Sequence, residues 1–192
     1  MLFRSFYSIS NCQPGLKGVS LGNFLIKRVA EELQRELPRL KTFCTLSPIP
    51  GFARWVRAGA PCEGLAKARA ERLRDAHELL LQTCGGDFDR LCAAPALRAM
   101  APTARQALLR LGAAYLGVHA SSSGGDPVAR FHLDNGARLE RLNALADLSA
   151  RGARQSFGLM VNYLYDLDKI ETHHEQFVHG EVAQARAVSA LL

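Results

Sequence analysis

No apolar run in this 192-residue chain approaches the ~18 residues needed to cross a bilayer, so no membrane partner is expected. The opening stretch, Met1 to Asn11, lacks the order of charge, long apolar run and small-residue cleavage site that marks a secretory leader. The last three residues, Ala190-Leu191-Leu192, do not resemble a peroxisomal address. These absences leave the cytoplasm as the expected setting, and the Ala- and Arg-rich composition points to a bacterial one. The five cysteines, Cys12, Cys44, Cys62, Cys84 and Cys92, are odd in number and contain no C-x-x-C pair. That excludes a disulfide framework and a zinc knuckle, and makes reduced thiols the expectation. The six histidines (His77, His119, His132, His173, His174 and His179) show no ligand spacing, so no metal and no organic cofactor is expected. Aromatics are sparse, at one Trp, four Tyr and nine Phe, and there are no internal repeats.

A long basic tract is missing as well. The formal charge is +6, but 24 Lys and Arg are interleaved with 18 acids along the whole length. A positive balance concentrates anionic partners, either nucleic acid or a polyanionic small molecule such as CoA. The mixed pattern argues against nucleic acid.

What is present is helix-rich, with strands near the ends. Phe6 to Cys12 alternates polar and aromatic residues before Pro14-Gly15 and reads as a strand. Asn23 to Leu37 is the clearest helix. Leu25, Val29, Leu33 and Leu37 recur every four residues, Lys27–Glu31, Arg28–Glu32 and Glu31–Arg35 are spaced to pair, and Pro38 stops it. Lys41 to Leu46 is a second strand, giving a βαβ-like unit that implies parallel pairing. The middle, about residues 53–120, is a mainly helical insertion. It holds a helix over Leu65 to Cys84 ended by Gly85-Gly86, and another capped by Thr103 with a stripe of Leu108, Leu111, Tyr115 and Val118. Asp126-Pro127 opens a short helix and Asn135-Gly136 closes it. Arg138 to Ala146 and Ser156 to Tyr165 read as strands, and the chain is helical from Asp168. The pattern is that of an α/β or α+β sheet with a helical excursion.

Four segments carry residues suited to chemistry. In Gln13 to Gly22, the glycines Gly15, Gly18 and Gly22 let the backbone turn close to a ligand. The helix start at Asn23 offers free N–H groups to a pyrophosphate, and Lys17 and Lys27 add charge. A tight turn with nothing bound fits the same residues. In Ser47-Pro48-Ile49-Pro50-Gly51-Phe52, a hydroxyl sits on a stiff exit from a strand's C-terminal end, where open α/β sheets bind ligands; a plain rigid turn is the alternative. In Arg130 to Gly136, His132 sits at a helix end and titrates near neutrality, as a proton donor must; a surface or satisfied helix-end histidine is the alternative. In Gly158 to Tyr165, Tyr163 and Tyr165 share one strand face by the period of two, suited to a site or to the core.

Taken together and in this order, FYSISNCQPGLKGVSLGNFLIKRVAEELQRELPRLKTFCTLSPIPGFARW, PVARFHLDNGARLERLNALAD and GLMVNYLY resemble the malonyl-CoA decarboxylase family. The resemblance runs over Phe6–Trp55 and Pro127–Glu175 and is weak across the insertion between them. It implies the family's catalytic domain, which looks like the Gcn5-related acetyltransferase fold: here a mixed sheet, incomplete at its start, with a helical insertion. It implies malonyl-CoA as substrate, lost as carbon dioxide and acetyl-CoA, with the thioester itself as electron sink. Catalytic roles would fall on Ser47 and His132, with Ser8 and Tyr165 in the active site. Gly15, Lys17, Gly18, Gly22 and Asn23 would hold the CoA, whose pantetheine would lie between Phe6–Ser10 and Lys41–Leu46. Animal members carry an acid where this chain has Ser20, so Ser20 stays outside the catalytic set.

The family also carries a helical domain and early sheet strands ahead of the matching strand, whereas Phe6 follows Met1 by five residues. The expectation is therefore one catalytic-domain fragment over residues 1–192, its assembly being either with copies of itself or with the missing N-terminal domain. An acyl-CoA N-acyltransferase on the same fold and an inactive CoA-binding fragment are the rival readings.

Overall fold

The computed structural model describes residues 22–40, 42–62, 64–121 and 125–192. The expected strand over Phe6 to Cys12 lies outside them. Helix α1 (Gly22–Glu36) begins one residue before the expected start and turns Ala30 inward. Its outer charges pair differently from the four-residue spacing: Lys27 Nζ reaches Glu171 Oε1 at 2.8 Å, and Arg35 pairs with Glu32. A partner held across the fold and an i,i+3 neighbour compete on equal terms with i,i+4 contacts worth only a few tenths of a kcal/mol.

Strand β1 (Phe43–Pro48) lies two residues later than expected. Its described partner is not a parallel neighbour. It pairs antiparallel with β3 (Met160–Tyr165), and β3 pairs antiparallel with β2 (Arg138–Asn143), in the order β1-β3-β2. The register, running from Phe43 opposite Tyr165 to Pro48 opposite Met160, carries β1 through the end of the Ser47-Pro48 pair. Pro48 is tolerated at this terminal position, where a missing N–H costs no central ladder bond.

After β1 come the helices α2 (Phe52–Arg57), α3 (Lys67–Thr83), α4 (Ala94–Ala99) and α5 (Pro102–Gly117). Gly85 and Gly86, at φ +63° and +83°, end α3. Thr103 does not cap α5. Ala101 takes that position because Pro102, with its φ already helical, starts the helix one residue earlier. Leu108, Leu111 and Tyr115 are buried and Val118 half-buried.

Helix α6 (Pro127–Asp134) has the expected Asp126 cap and Asn135-Gly136 exit, Gly136 standing at φ +73°. β2 stops three residues early at a turn through Leu145, φ +59°, and the expected strand from Ser156 starts only at Met160. Between them Ser149 accepts from Gly152 N at 3.1 Å and caps α7 (Ala150–Ser156), which the polar, small-residue text had hidden. The C-terminal helix divides into α8 (Ile170–Val178) and α9 (Arg186–Ser189). Gln184 bridges Leu139 between them.

One core joins these parts. Phe52, Val56, Leu108, Leu111, Phe157, Leu159, Val161 and Tyr163 are all fully enclosed, each large side chain contributing roughly 1.5–3 kcal/mol by burial. Gly112 lets α5 settle onto the sheet side: a Cβ there would sit 2.5 Å from Leu159 Cδ2. Along β1, Ser47 faces this interior while Leu46, 54% exposed, faces the other way.

Candidate active site

Directly opposite residues of an antiparallel pair share a face. The β1–β3 register therefore puts Thr45, Ser47, Tyr163 and Tyr165 on the inner side of the sheet. Over that side lies the last turn of α6, bearing His132. Local signals build that turn. Asp126 Oδ1 accepts from Val128 N at 3.0 Å and Ala129 N at 3.2 Å, and Pro127 sets the first helical φ. At the other end Gly136 N donates to Leu133 O and Ala137 N to His132 O.

The imidazole of His132 is 5% exposed and satisfied on both nitrogens. Nε2 lies 3.0 Å from Ser47 Oγ, and Nδ1 lies 2.7 Å from the Tyr165 hydroxyl. Ser47 Oγ is also 3.1 Å from Thr45 Oγ1. The Tyr163 ring stacks on the imidazole, centroids 4.4 Å apart and planes 20° off parallel, and Phe131 meets it edge-on. Three of the four catalytic residues expected from the sequence thus converge. Ser8 lies outside the described residues, as do Gly15, Lys17 and Gly18. Gly22 and Asn23 form the first turn of α1. That helix is tied through Lys27 to Glu171 of α8. His173 and His174 on α8 donate from Nδ1 to Gly136 O and Asp134 O, pinning α8 to the exit of α6.

Burial holds His132 down at about 4, so the ring is neutral at pH 7 and carries one N–H. Burial also keeps the Tyr165 phenol protonated, far above its ordinary range. With the proton on Nδ1, Tyr165 accepts and Ser47 donates to Nε2. With the proton on Nε2, Ser47 accepts and Tyr165 donates to Nδ1. The second arrangement leaves every donor paired, since Ser47 can turn its own proton to Thr45; the first leaves the Tyr165 hydroxyl hydrogen without an acceptor among the described residues, so the geometry favours the proton on Nε2.

The same burial has a stability signature. The unfolded histidine binds a proton from about pH 6.5 downward, while the folded one resists until about 4. Stability from this group is complete above pH 6.5 and falls as pH drops through that window, by roughly 3 kcal/mol at its foot. Burial also lowers His173, which adds loss of the same sign. In urea titrations, the stability of the wild type minus that of His132→Gln should be larger at pH 7.5 than at pH 4.5. Parallel curves for the two proteins across that range would contradict a neutral, buried ring.

Sequence reasoning had not singled out Thr45, although its place two residues before Ser47 gives it the same strand face. It also missed that Asp126, read as a helix cap, carries a second set of hydrogen bonds: Oδ2 accepts from Gly51 N at 2.9 Å and from the Tyr115 hydroxyl at 3.4 Å. No three His, Cys, Asp or Glu side chains gather as a metal site among the described residues, and none of the described helices is long and apolar enough to cross a membrane.

An α/β chain with a buried serine–imidazole–phenol row is the class these elements define. Comparison with known proteins narrows it: the malonyl-CoA decarboxylase C-terminal domain family matches residues 4–192, and the chain belongs to that family. It is 42% identical over 173 residues to the mitochondrial malonyl-CoA decarboxylase of Rattus norvegicus, covering 85% of this chain and 35% of that protein. The Mus musculus relative is 40% identical, with the same coverage. Among solved structures it resembles malonyl-CoA decarboxylase from Cupriavidus metallidurans at TM-score 0.74 and 44% identity, covering 97% of this chain and 47% of that one. The enzyme from Rhodopseudomonas palustris gives 0.72 and 49%, covering 97% and 41%. The chain therefore spans about a third of the curated relatives and less than half of the solved ones.

Proposed function

We propose that this chain carries the catalytic residues of a malonyl-CoA decarboxylase, converting malonyl-CoA to acetyl-CoA and carbon dioxide. The observation that carries the reading is the Ser47–His132–Tyr165 row at 3.0 and 2.7 Å in a chain of this family. When the bond to the carboxylate breaks, its electron pair moves into the thioester and leaves an enolate. A proton delivered to the α-carbon then completes acetyl-CoA. His132 gives that proton from Nε2, the nitrogen facing Ser47, and solvent later restores it. Tyr165 holds Nδ1 and fixes the ring plane, while the Ser47 hydroxyl, steadied by Thr45, orients the malonyl carboxylate. The arriving carboxylate raises the histidine from its low resting value, so the ring takes up its transferable proton as substrate binds. Neighbouring N–H groups and Ser8 complete the enolate's surroundings, and no metal or organic cofactor takes part.

The CoA belongs at the start of α1 in this reading, its pyrophosphate on the backbone of Gly15, Gly18, Gly22 and Asn23 with Lys17 beside it. The fold is acetyltransferase-like, and residues 1–192 are a single catalytic-domain fragment with a helical insertion over about residues 53–120. The test is incubation with malonyl-CoA in D2O followed by mass spectrometry. Acetyl-CoA carrying one solvent deuteron in its methyl group is the expected product. CoA binding with malonyl-CoA recovered intact would leave a binding fragment, and acetyl transfer to an added amine would point to an acyltransferase.

A further inference from the structure

Ser47 and His132 are 85 residues apart, and their elements share little surface. Helix α6 packs chiefly on α8, β2 and the short 3-10 turn His119–Ser121, not on β1. Tyr165 and Tyr163 hold the imidazole against β3, and besides the Ser47–His132 hydrogen bond itself Asp126 ties the exit of β1 directly to α6. Its side chain is almost wholly buried, and both oxygens are in use. Oδ1 holds Val128 N and Ala129 N at the start of α6, and Oδ2 holds Gly51 N, just past β1, with the Tyr115 hydroxyl beside it.

We propose that Asp126 is a positioning residue: one carboxylate clamps the exit of the serine strand to the start of the histidine helix and so sets the Ser47–His132 distance. The inference rests on the decarboxylase reading for its catalytic consequence.

Both arms of the clamp are stiff. From Gly51 back to Ser47 the chain passes Pro50 and Pro48, each with φ fixed. From Asp126 forward to His132 it runs six residues of helix, about 9 Å. A shift at the clamp is therefore passed along both arms toward the hydroxyl and the imidazole. Two residue choices point the same way. Asn and Ser cap helices as well as Asp does, but only a carboxylate offers two acceptor oxygens, one for each element. Gly51 has no Cβ, and one would overlap the Tyr115 hydroxyl and come within 3.3 Å of Asp126 Oδ2. The strand exit reaches the carboxylate only because that space is free.

Asp126→Asn separates clamping from capping, since the amide oxygen still caps α6 while the amide nitrogen faces the Gly51 N–H as a second donor. The full chain carrying it should keep its circular dichroism and a KM within about 3-fold of wild type, with kcat down ~30- to 100-fold, the scale of a sub-ångström to 1 Å misplacement. The His132 ring protons, shielded by the stacked Tyr163, should shift in the NMR spectrum toward unshielded values. Ser149→Ala is the control: it removes the cap hydrogen bond of α7, away from the site, and should lower the melting temperature with kcat unchanged. An Asp126→Asn protein with wild-type kcat and ring resonances overturns the inference, as does a Ser149→Ala protein that loses kcat equally. Should the wild type itself show no turnover, the decarboxylase reading fails. The ring resonances then still decide the clamp: a shift in Asp126→Asn supports it and none overturns it.

Discussion

Replacing His132 with Gln should cut turnover of malonyl-CoA by about 10³-fold while leaving the chain folded. Glutamine keeps polar atoms within reach of Ser47 and Tyr165, so the row remains mostly paired. What it loses is a group that, with the substrate carboxylate beside it, takes up a proton and hands it on. His132→Ala should be as inactive and also less stable, because it opens a cavity against Tyr163 and strands the Tyr165 hydroxyl. Ser47→Ala should cost less, about 10²-fold, since orientation rather than proton delivery is lost. KM should move little in either, the CoA moiety supplying most of the binding away from the reacting carbon. Steady-state assays on the three variants distinguish the roles. A His132→Gln enzyme within about 10-fold of wild type would remove the histidine from the proton step.

The second large effect is structural and falls on Gly136. Its φ of +73° disfavours any residue with a side chain, and a Cβ there would overlap Ile170 O and come within 2.8 Å of the Ile170 carbonyl carbon. Ile170 opens α8, and Gly136 O accepts from His173 of the same helix. Gly136→Ala must strain its own backbone and push α8 away at once, a loss of roughly 3–5 kcal/mol. Thermal and urea unfolding measure it directly. A midpoint change worth under about 1 kcal/mol would mean that α8 gives way freely and that its two histidine anchors hold little.

These two sites were legible in the sequence to different degrees. Gly136 follows Asn135 at the end of a helix opened by Asp126-Pro127, and each of those signals is local. The strand face shared by Tyr163 and Tyr165 is local too, fixed by a period of two. The Ser47–His132 contact has no local signal. It depends on the β1–β3 register and on how α6 lies over the sheet, and only the likeness of SPIPGF, FHL-x-NGA and GLM-x-NY to a known family brought the residues together in advance. Where local rules competed, the stiffer one won: Pro102 started α5 ahead of the Thr103 hydroxyl. α7 escaped notice because its sequence, ARGARQS, has no apolar period; its Ser149 cap and the close packing of Gly152 hold it instead. Asp126 was readable as a cap, but its hold on Gly51 was not, since that partner lies 75 residues upstream.

Gly112 has a consequence for how the chain comes apart. By admitting Leu159 and Leu142 against α5, it makes the helices after β1 and the sheet two sides of one interior. The segment between Ala53 and Ala120 is therefore not an appendage that could be excised to leave the remaining core intact. Shortening it would uncover the inner face of the strands that carry Tyr163 and Tyr165, and a fault deep in that segment would be felt at the imidazole as loss of a common, cooperative unit.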